Sequence, residues 1–289
     1  MDTMIAGHGA HAAHAASADD VRGLAVSHRG LTLTALTAPA RAGEAGEISF
    51  AVTDASGVAV TDVEISHDRP LHLIVVRTDG AHFRHVHPAL HGDGSWRIPF
   101  TFDAAGAYRV FADITPTALG ETITLTSTVE VAGEFVPEPR TTDAITSSVG
   151  GLEVELDGTL VAGGVGELVF TVTRGGAPVT SLEPYLGAYG HLVALRQGDL
   201  AYLHVHPLGV PGDGVTVPGP EIAFMASAPT PGRYLLYLDL MEGGVVRSVP
   251  FVVTAIAATG DELAHHGDGT EHPHGAGHGD AAGHAEAHR

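Results

Sequence analysis

Seventeen residues, HLIVVRTDGAHFRHVHP from His72 to Pro88, return as HLVALRQGDLAYLHVHP from His191 to Pro207. Most apolar letters change between the copies, yet three histidines keep their places. A chain that writes this stretch twice must fold it twice, so a duplicated unit is the first constraint on its architecture. The middle of the first copy is Asp79-Gly80, the dipeptide favoured in two-residue type I′ hairpin turns, and the second copy has Gly198-Asp199 there. Each copy therefore reads as a β-hairpin. With the turn centred on those pairs, His72 falls opposite His87 and Ile74 opposite His85. In the second copy His191 falls opposite His206 and Val193 opposite His204.

The repeat extends beyond the hairpins. VTDVE (Val60–Glu64) matches VTSLE (Val179–Glu183), and GAYRVFAD (Gly106–Asp113) matches GRYLLYLD (Gly232–Asp239). Around them each half is a series of short strand-like runs broken by Gly, Pro and Asp, such as GEISFAVTD, RIPFTFD and TLTSTVEVA in the first and LEVELDG, GELVFTVTR and EIAFMASA in the second. About seven such runs at regular spacing predict an all-β fold: two tandem immunoglobulin-like β-sandwich domains. The boundaries read as a tail over 1–20, a first sandwich over 21–133, a linker over 134–146, a second sandwich over 147–257, and a tail over 258–289. Both tails are Ala/Gly/His/Asp text without periodicity, which predicts disorder. No stretch reads as a long amphipathic helix.

Composition removes several functions. The chain has no cysteine, which excludes disulfide scaffolds, thiolate zinc sites and thiol catalysis. Its formal net charge is −20 and all 14 cations are Arg, a balance that repels phosphate backbones and attracts metal cations. Nucleic acid is not an expected partner. No run of 18 apolar residues predicts a membrane-spanning helix, and the first twenty residues lack the basic and apolar regions of a signal peptide.

Side chains alternate along a strand, and residues directly opposed on neighbouring strands share a face. His72, His85 and His87 therefore converge at the end of the first hairpin away from its turn, and His191, His204 and His206 at the end of the second. Three imidazoles crowded against Ile74, Val76 and Phe83, or against Val193, Leu195 and Tyr202, cannot all be protonated. They require either a cation or a closed hydrogen-bond network. Asp113 and Asp239, late in the matching strands GAYRVFAD and GRYLLYLD, are the expected fourth ligands, giving one His₃Asp site per half suited to Cu²⁺ or Zn²⁺. Glu64 and Glu183 are further candidates, as ligands or as acceptors for an imidazole N–H. His28, His67, His82 and His91 have no counterparts in the second half and read as loop or surface residues. The tail histidines, among them His8, His11, His14, His265 and His266, form tracts able to collect such ions loosely.

The quoted hairpins, with FDAAGAYRVFADITP and PTPGRYLLYLDL, resemble bacterial, actinobacterial-type extracytoplasmic metal-handling proteins with YtkA-like or CopC-like immunoglobulin-like domains. The resemblance implies a β-sandwich, an extracytoplasmic (secreted or cell-surface) setting and copper handling. The function expected is a non-enzymatic carrier or buffer of divalent copper or zinc, with a membrane metal transporter as the partner it would serve. Two alternatives stand beside it: a copper-dependent redox enzyme of superoxide-dismutase type, since H-x-H on a β-sandwich strand suits such chemistry, and an interaction module whose histidine clusters are purely structural.

Overall fold

The computed structural model describes residues 21–203 and 205–257, with the backbone alone at His206; the tails and His204 lie outside the described residues. Every regular element among them is a strand. The first half contains β1 (Ser27–His28), β2 (Leu31–Thr37), β3 (Gly46–Thr53), β4 (Leu71–Arg77), β5 (Arg84–Val86), β6 (Ala89–Leu90), β7 (Trp96–Phe100), β8 (Gly106–Ile114) and β9 (Ile123–Val131). They form two sheets, ordered β1-β2-β3-β7-β6 and β5-β4-β8-β9. The second half contains β10 (Thr146–Val149), β11 (Leu152–Gly158), β12 (Val161–Ala162), β13 (Gly166–Arg174), β14 (Ala177–Pro178), β15 (His191–Arg196), β16 (Tyr202–Leu203), β17 (Val205–Pro207), β18 (Glu221–Ala226), β19 (Gly232–Glu242) and β20 (Val245–Ala257). Its sheets run β10-β11-β13-β18-β17, with β14 beside β13, and β12-β20-β19-β15-β16. The chain is thus two immunoglobulin-like β-sandwiches in tandem. No helix among the described residues is long and apolar enough to cross a membrane.

Outer strands show the alternation that one wet face demands. In β3, Ile48, Phe50 and Val52 are buried while their neighbours are not. In β11, Leu152, Val154 and Leu156 are buried between exposed glutamates. By contrast, β4 (LHLIVVR) is buried at every residue. Leu71, Leu73 and Val75 enter the first sandwich's own core with Phe50 and Trp96. Ile74 and Val76 face the other way, into a cluster completed by Val193, Leu195, Leu235, Tyr237 and Val252 of the second half. The sheets containing β4 and β15 therefore pack face to face, and each hairpin lies between two cores rather than at the edge of one.

Two aromatic contacts knit this interface. The Phe83 and Tyr237 rings stack with centroids 3.9 Å apart and planes 4° from parallel. Tyr202 meets Phe111 at 6.0 Å. Phe83 and Tyr202 occupy the same place in the repeat, as do Tyr237 and Phe111, so each half offers the other the same pair in the opposite sense. The sandwiches are related by a pseudo-two-fold axis through the interface. The Tyr237 hydroxyl also donates to the Gly80 carbonyl at 2.6 Å.

The hairpin turns differ from the two-residue turns expected. In the first, Arg77 N donates to Ala81 O at 3.0 Å and Gly80 N to Arg77 O at 2.8 Å, closing a three-residue loop with Gly80 at φ +84°. His82, at φ 53°, is then an extra bulged residue. In the second, Leu200 N and Arg196 O meet at 2.9 Å across a four-residue loop. The cause is a side-chain clasp invisible to turn propensities. Arg77 Nε and Nη2 donate to the two Asp79 oxygens at 2.9 and 2.8 Å, and Arg196 Nε donates to Asp199 at 3.0 Å. Each aspartate also accepts the N–H of the returning strand, Ala81 or Ala201, at 3.1 Å. The bulge at His82 restores the register, and Ile74 pairs with His85 as the sequence requires.

The stretch between the halves is fastened to both. Glu138 accepts from Arg77 Nη2 at 3.0 Å, and Ala144 exchanges backbone hydrogen bonds with Val252 at 2.8 and 3.0 Å.

Candidate metal centre

His72 stands second in β4, His85 sits in β5 opposite Ile74, and His87 follows β5 by one residue. Alternation places all three rings on the face turned toward the second half. There His72 Nδ1 lies 3.0 Å from His85 Nε2 and 3.2 Å from His87 Nε2. The three ring centroids are 5.2, 5.0 and 5.0 Å apart. One ring nitrogen from each lies within 4.8 Å of the others.

These separations can be tested against coordination geometry. Imidazole nitrogens bind Zn²⁺ or Cu²⁺ at roughly 2.0–2.1 Å. Two such ligands on one ion are then about 2.9 Å apart at a right angle and about 3.3 Å apart at the tetrahedral angle. The observed 3.0 and 3.2 Å fall between. An ion placed among these nitrogens would need almost no rearrangement of the two measured edges.

Hydrogen bonds on the outer side of the rings set the tautomers. His72 Nε2 donates to the Ser66 carbonyl at 2.9 Å, leaving Nδ1 with a lone pair pointing inward. His85 Nδ1 donates to Asp239 Oδ2 at 2.7 Å, which turns Nε2 inward. Outward N–H groups held by a carbonyl and a carboxylate are the support that metal-ligating histidines use. Burial pulls His72 down to about 4, and burial with the neighbouring His85 and His72 rings pulls His87 down to about 3. These two rings are therefore neutral at pH 7. The inward Nδ1 of His72 lies 3.0 Å from His85 Nε2 and 3.2 Å from His87 Nε2. A proton can relieve one such contact; a cation relieves all of them.

The carboxylate that touches this trio comes from the other half. Asp239 is 1% exposed, bonds His85 through Oδ2 and accepts from Ser248 through Oδ1. The expected assignment of Asp113 to the first trio and Asp239 to the second is thus corrected. The face-to-face packing brings Asp239 to the first trio, because a strand's outward face meets the partner sheet and not its own sandwich. Asp113 pairs in register with His72 but accepts from Thr124 Oγ1 at 2.7 Å. Burial pushes its carboxyl up to about 6. The position that the pseudo-two-fold axis relates to His85 is His204, outside the described residues. Glu64 is exposed, and Glu183 accepts from Gly244 N at 2.9 Å, so neither reaches the trio.

The second hairpin departs from its copy. Its register is as read, with Leu195 opposite Tyr202 and Ala194 opposite Leu203. By Val205, however, the chain has crossed to the other sheet, where His206 pairs with Met225 rather than with His191. The first half makes the same crossing only at β6, after all three of its histidines. The trio expected in the second half falls partly outside the described residues, at His204 and the His206 side chain; among the described residues one trio gathers, at the interface. His191 is drawn to that trio, its ring 5.8 Å from His72 and 5.9 Å from His85.

His67 belongs to this neighbourhood as well. Its ring lies 4.6 Å from His191 and 6.1 Å from His72, on an exposed turn as the sequence placed it. The signal was a mismatch within the repeat: the first half has His67-Asp68 where the second has Leu186-Gly187. Both pairs form a two-residue turn with positive φ, at 48° and 61° in the first half and 56° and 79° in the second. His82, also read as surface, bonds Glu138 at 3.0 Å.

Comparison with known proteins adds a family. The family model described as "Domain of unknown function (DUF8832)" matches residues 26–133 and again 147–257. It does so in place of the YtkA-like or CopC-like type suggested by the hairpin text. Among solved structures, invasin, a bacterial integrin-binding protein, is 15% identical with a TM-score of 0.23 over 78% of this chain. The chain spans 39% of that invasin. The D0–D1 domain of intimin is 15% identical with a TM-score of 0.21, covering 77% of this chain and 97% of that one. Domains 5–6 of the S-layer protein SbsC are 12% identical with a TM-score of 0.24, covering 79% and 100%. No curated protein matches the chain.

Proposed function

We propose, for a chain that belongs to the DUF8832 family in both of its halves, that it binds a divalent transition-metal ion without catalysis, as a carrier or buffer of Zn²⁺ or Cu²⁺. The observation that carries the reading is the convergence of His72 Nδ1, His85 Nε2 and His87 Nε2 at 3.0 and 3.2 Å while two of the outer N–H groups are held by Ser66 and Asp239. A proton can bridge one pair of these nitrogens, whereas one cation at their centre engages all three. The net charge of −20 favours cation capture over anion binding. An extracytoplasmic setting and delivery to a membrane metal transporter are part of the same proposal and rest on the resemblance of the hairpins.

The test is element-resolved stoichiometry. The full chain should hold one tight Zn²⁺ or Cu²⁺ above any weak binding by the tails, and the double variant His85→Ala/His87→Ala should lose that tight equivalent. An unchanged tight stoichiometry in the double variant would refute the ligand assignment. Superoxide turnover by the copper-loaded protein should be absent; its presence would favour the redox enzyme instead.

A further inference from the structure

We propose that the second half closes this centre: His191 is the fourth protein ligand, through Nε2, of an ion held by His72, His85 and His87, so that one cation braces the two sandwiches together. The proposal rests on the trio being a metal site and adds to it a donor from the opposite domain.

His191 opens β15 and pairs in register with Asp239, the residue whose carboxylate already holds His85. Its side chain shares the face of Val193 and Leu195, which is the face packed on the first half. Its Nε2 is buried and has no hydrogen-bond partner. A buried imidazole nitrogen normally finds one. Among polar side-chain atoms in the neighbourhood of the trio, this is the one so left.

Distances show what must move. Two imidazoles on one tetrahedral ion have centroids about 5 Å apart, from the nitrogen–metal length plus the ring radius. The trio meets this at 5.0–5.2 Å, while His191 stands at 5.8 and 5.9 Å from two of its members. His191 stands outside the group whose nitrogens lie within 4.8 Å of one another, so its ring must turn or move inward when the ion arrives. Burial, with the His67 ring next, holds His191 unprotonated and ready to donate.

His67 serves as a positioning residue. It packs edge to face on His191 at 4.6 Å, interplanar angle 81°. Its turn is closed by two backbone bonds between Ser66 and Arg69, at 2.9 and 3.0 Å, and the Ser66 carbonyl also anchors His72. One turn thus sets the spacing of donors from both halves. The second half spends a glycine on the equivalent turn, whereas the first keeps two side-chain-bearing residues at positive φ, His67 and Asp68. Strained backbone of this kind collects at functional sites.

The test uses the full chain with Zn²⁺ alone as probe. In wild type, Zn²⁺ should slow hydrogen exchange in β4 and β5 and also in β15 and β19. His191→Ala should keep the tight stoichiometry of one but bind at least tenfold more weakly, with protection confined to β4 and β5. His191→Gln, closer in volume and polarity, should behave likewise, and melting of the metal-free variants checks that both fold. Affinity and protection unchanged from wild type would overturn the brace while leaving the trio standing. A wild type with no tight Zn²⁺ would instead overturn the metal reading beneath it. A measurement free of variants is available in the Co²⁺-loaded wild type. Four paramagnetically shifted imidazole N–H resonances support the brace, and three refute it.

Discussion

The two hairpins carry the same text and come to different ends. In the first, the return strand stays on β4 past His85, and three imidazoles gather within reach of one ion. In the second, the return strand leaves β15 after Leu203 and joins β18 by Val205. The turns that feed them differ in the same sense: His67-Asp68 against Leu186-Gly187. Matching spacing therefore does not fix the path of the return strand. What decides is where the strand changes sheets and which residues the neighbouring turn can spare.

The largest expected effect breaks the interface that brings the halves together. Tyr237→Ala removes the stack on Phe83 and the bond to Gly80, and should cost about 3–5 kcal/mol in chemical denaturation. Tyr202→Ala, whose ring meets Phe111 at 6.0 Å and 45°, should cost less. Equal losses would mean that the two aromatic pairs contribute alike and that the asymmetry ends at the hairpins.

Acid should come next and should act through the buried imidazoles, His72 and His87 in the first hairpin and His191 in the second. His72 and His87 are held near 4 and 3, below the unfolded value of 6.5. The unfolded chain binds more protons between those values, so stability falls as pH falls. Their contribution is complete above about 6.5 and is lost on descending toward 4. The metal-free chain should lose on the order of 2–3 kcal/mol between pH 7.5 and 5, read as a shift in urea midpoint, the partial exposure of His87 limiting its share. His72→Gln/His87→Gln should flatten that slope.

Asp113 has the opposite sign. Its carboxyl is raised to about 6 against 3.8 unfolded, so its contribution is present at low pH and lost as pH rises through 6. Asp113→Asn, which keeps an oxygen for Thr124, should raise the melting temperature at pH 8 by an amount equivalent to about 1–2 kcal/mol and leave tight Zn²⁺ binding intact. Loss of the tight site in this variant would restore Asp113 as a ligand. The smallest effect should come from making the first turn copy the second. Asp68→Gly relieves one residue at φ 61° and should stabilise by roughly 0.5–1 kcal/mol in thermal melts.

Much of this was legible in the sequence, and what was hidden follows one physical cause. Duplication, strand content and the pairing of Ile74 with His85 all follow from alternation and repeat spacing, which are local. Strand β4 is buried on two faces, yet nothing in LHLIVVR says what covers the second one. That cover is the other half. It reassigns Asp239 to His85 and brings His191 toward the trio, because tertiary docking carries each side chain away from its sequence neighbours. The turns were misjudged for a smaller reason: the Arg77–Asp79 and Arg196–Asp199 clasps outweigh the preference of Asp-Gly and Gly-Asp for a two-residue bend.

The exchange of Phe83 for Tyr202 and of Tyr237 for Phe111 across the interface is the contact of a homodimer written into one polypeptide. Two identical subunits must change in step, since any substitution appears on both sides of their axis. Joined end to end, they are released from that obligation. Each copy can carry its histidines into a different role, and selection can tune the halves separately without the assembly ever coming apart.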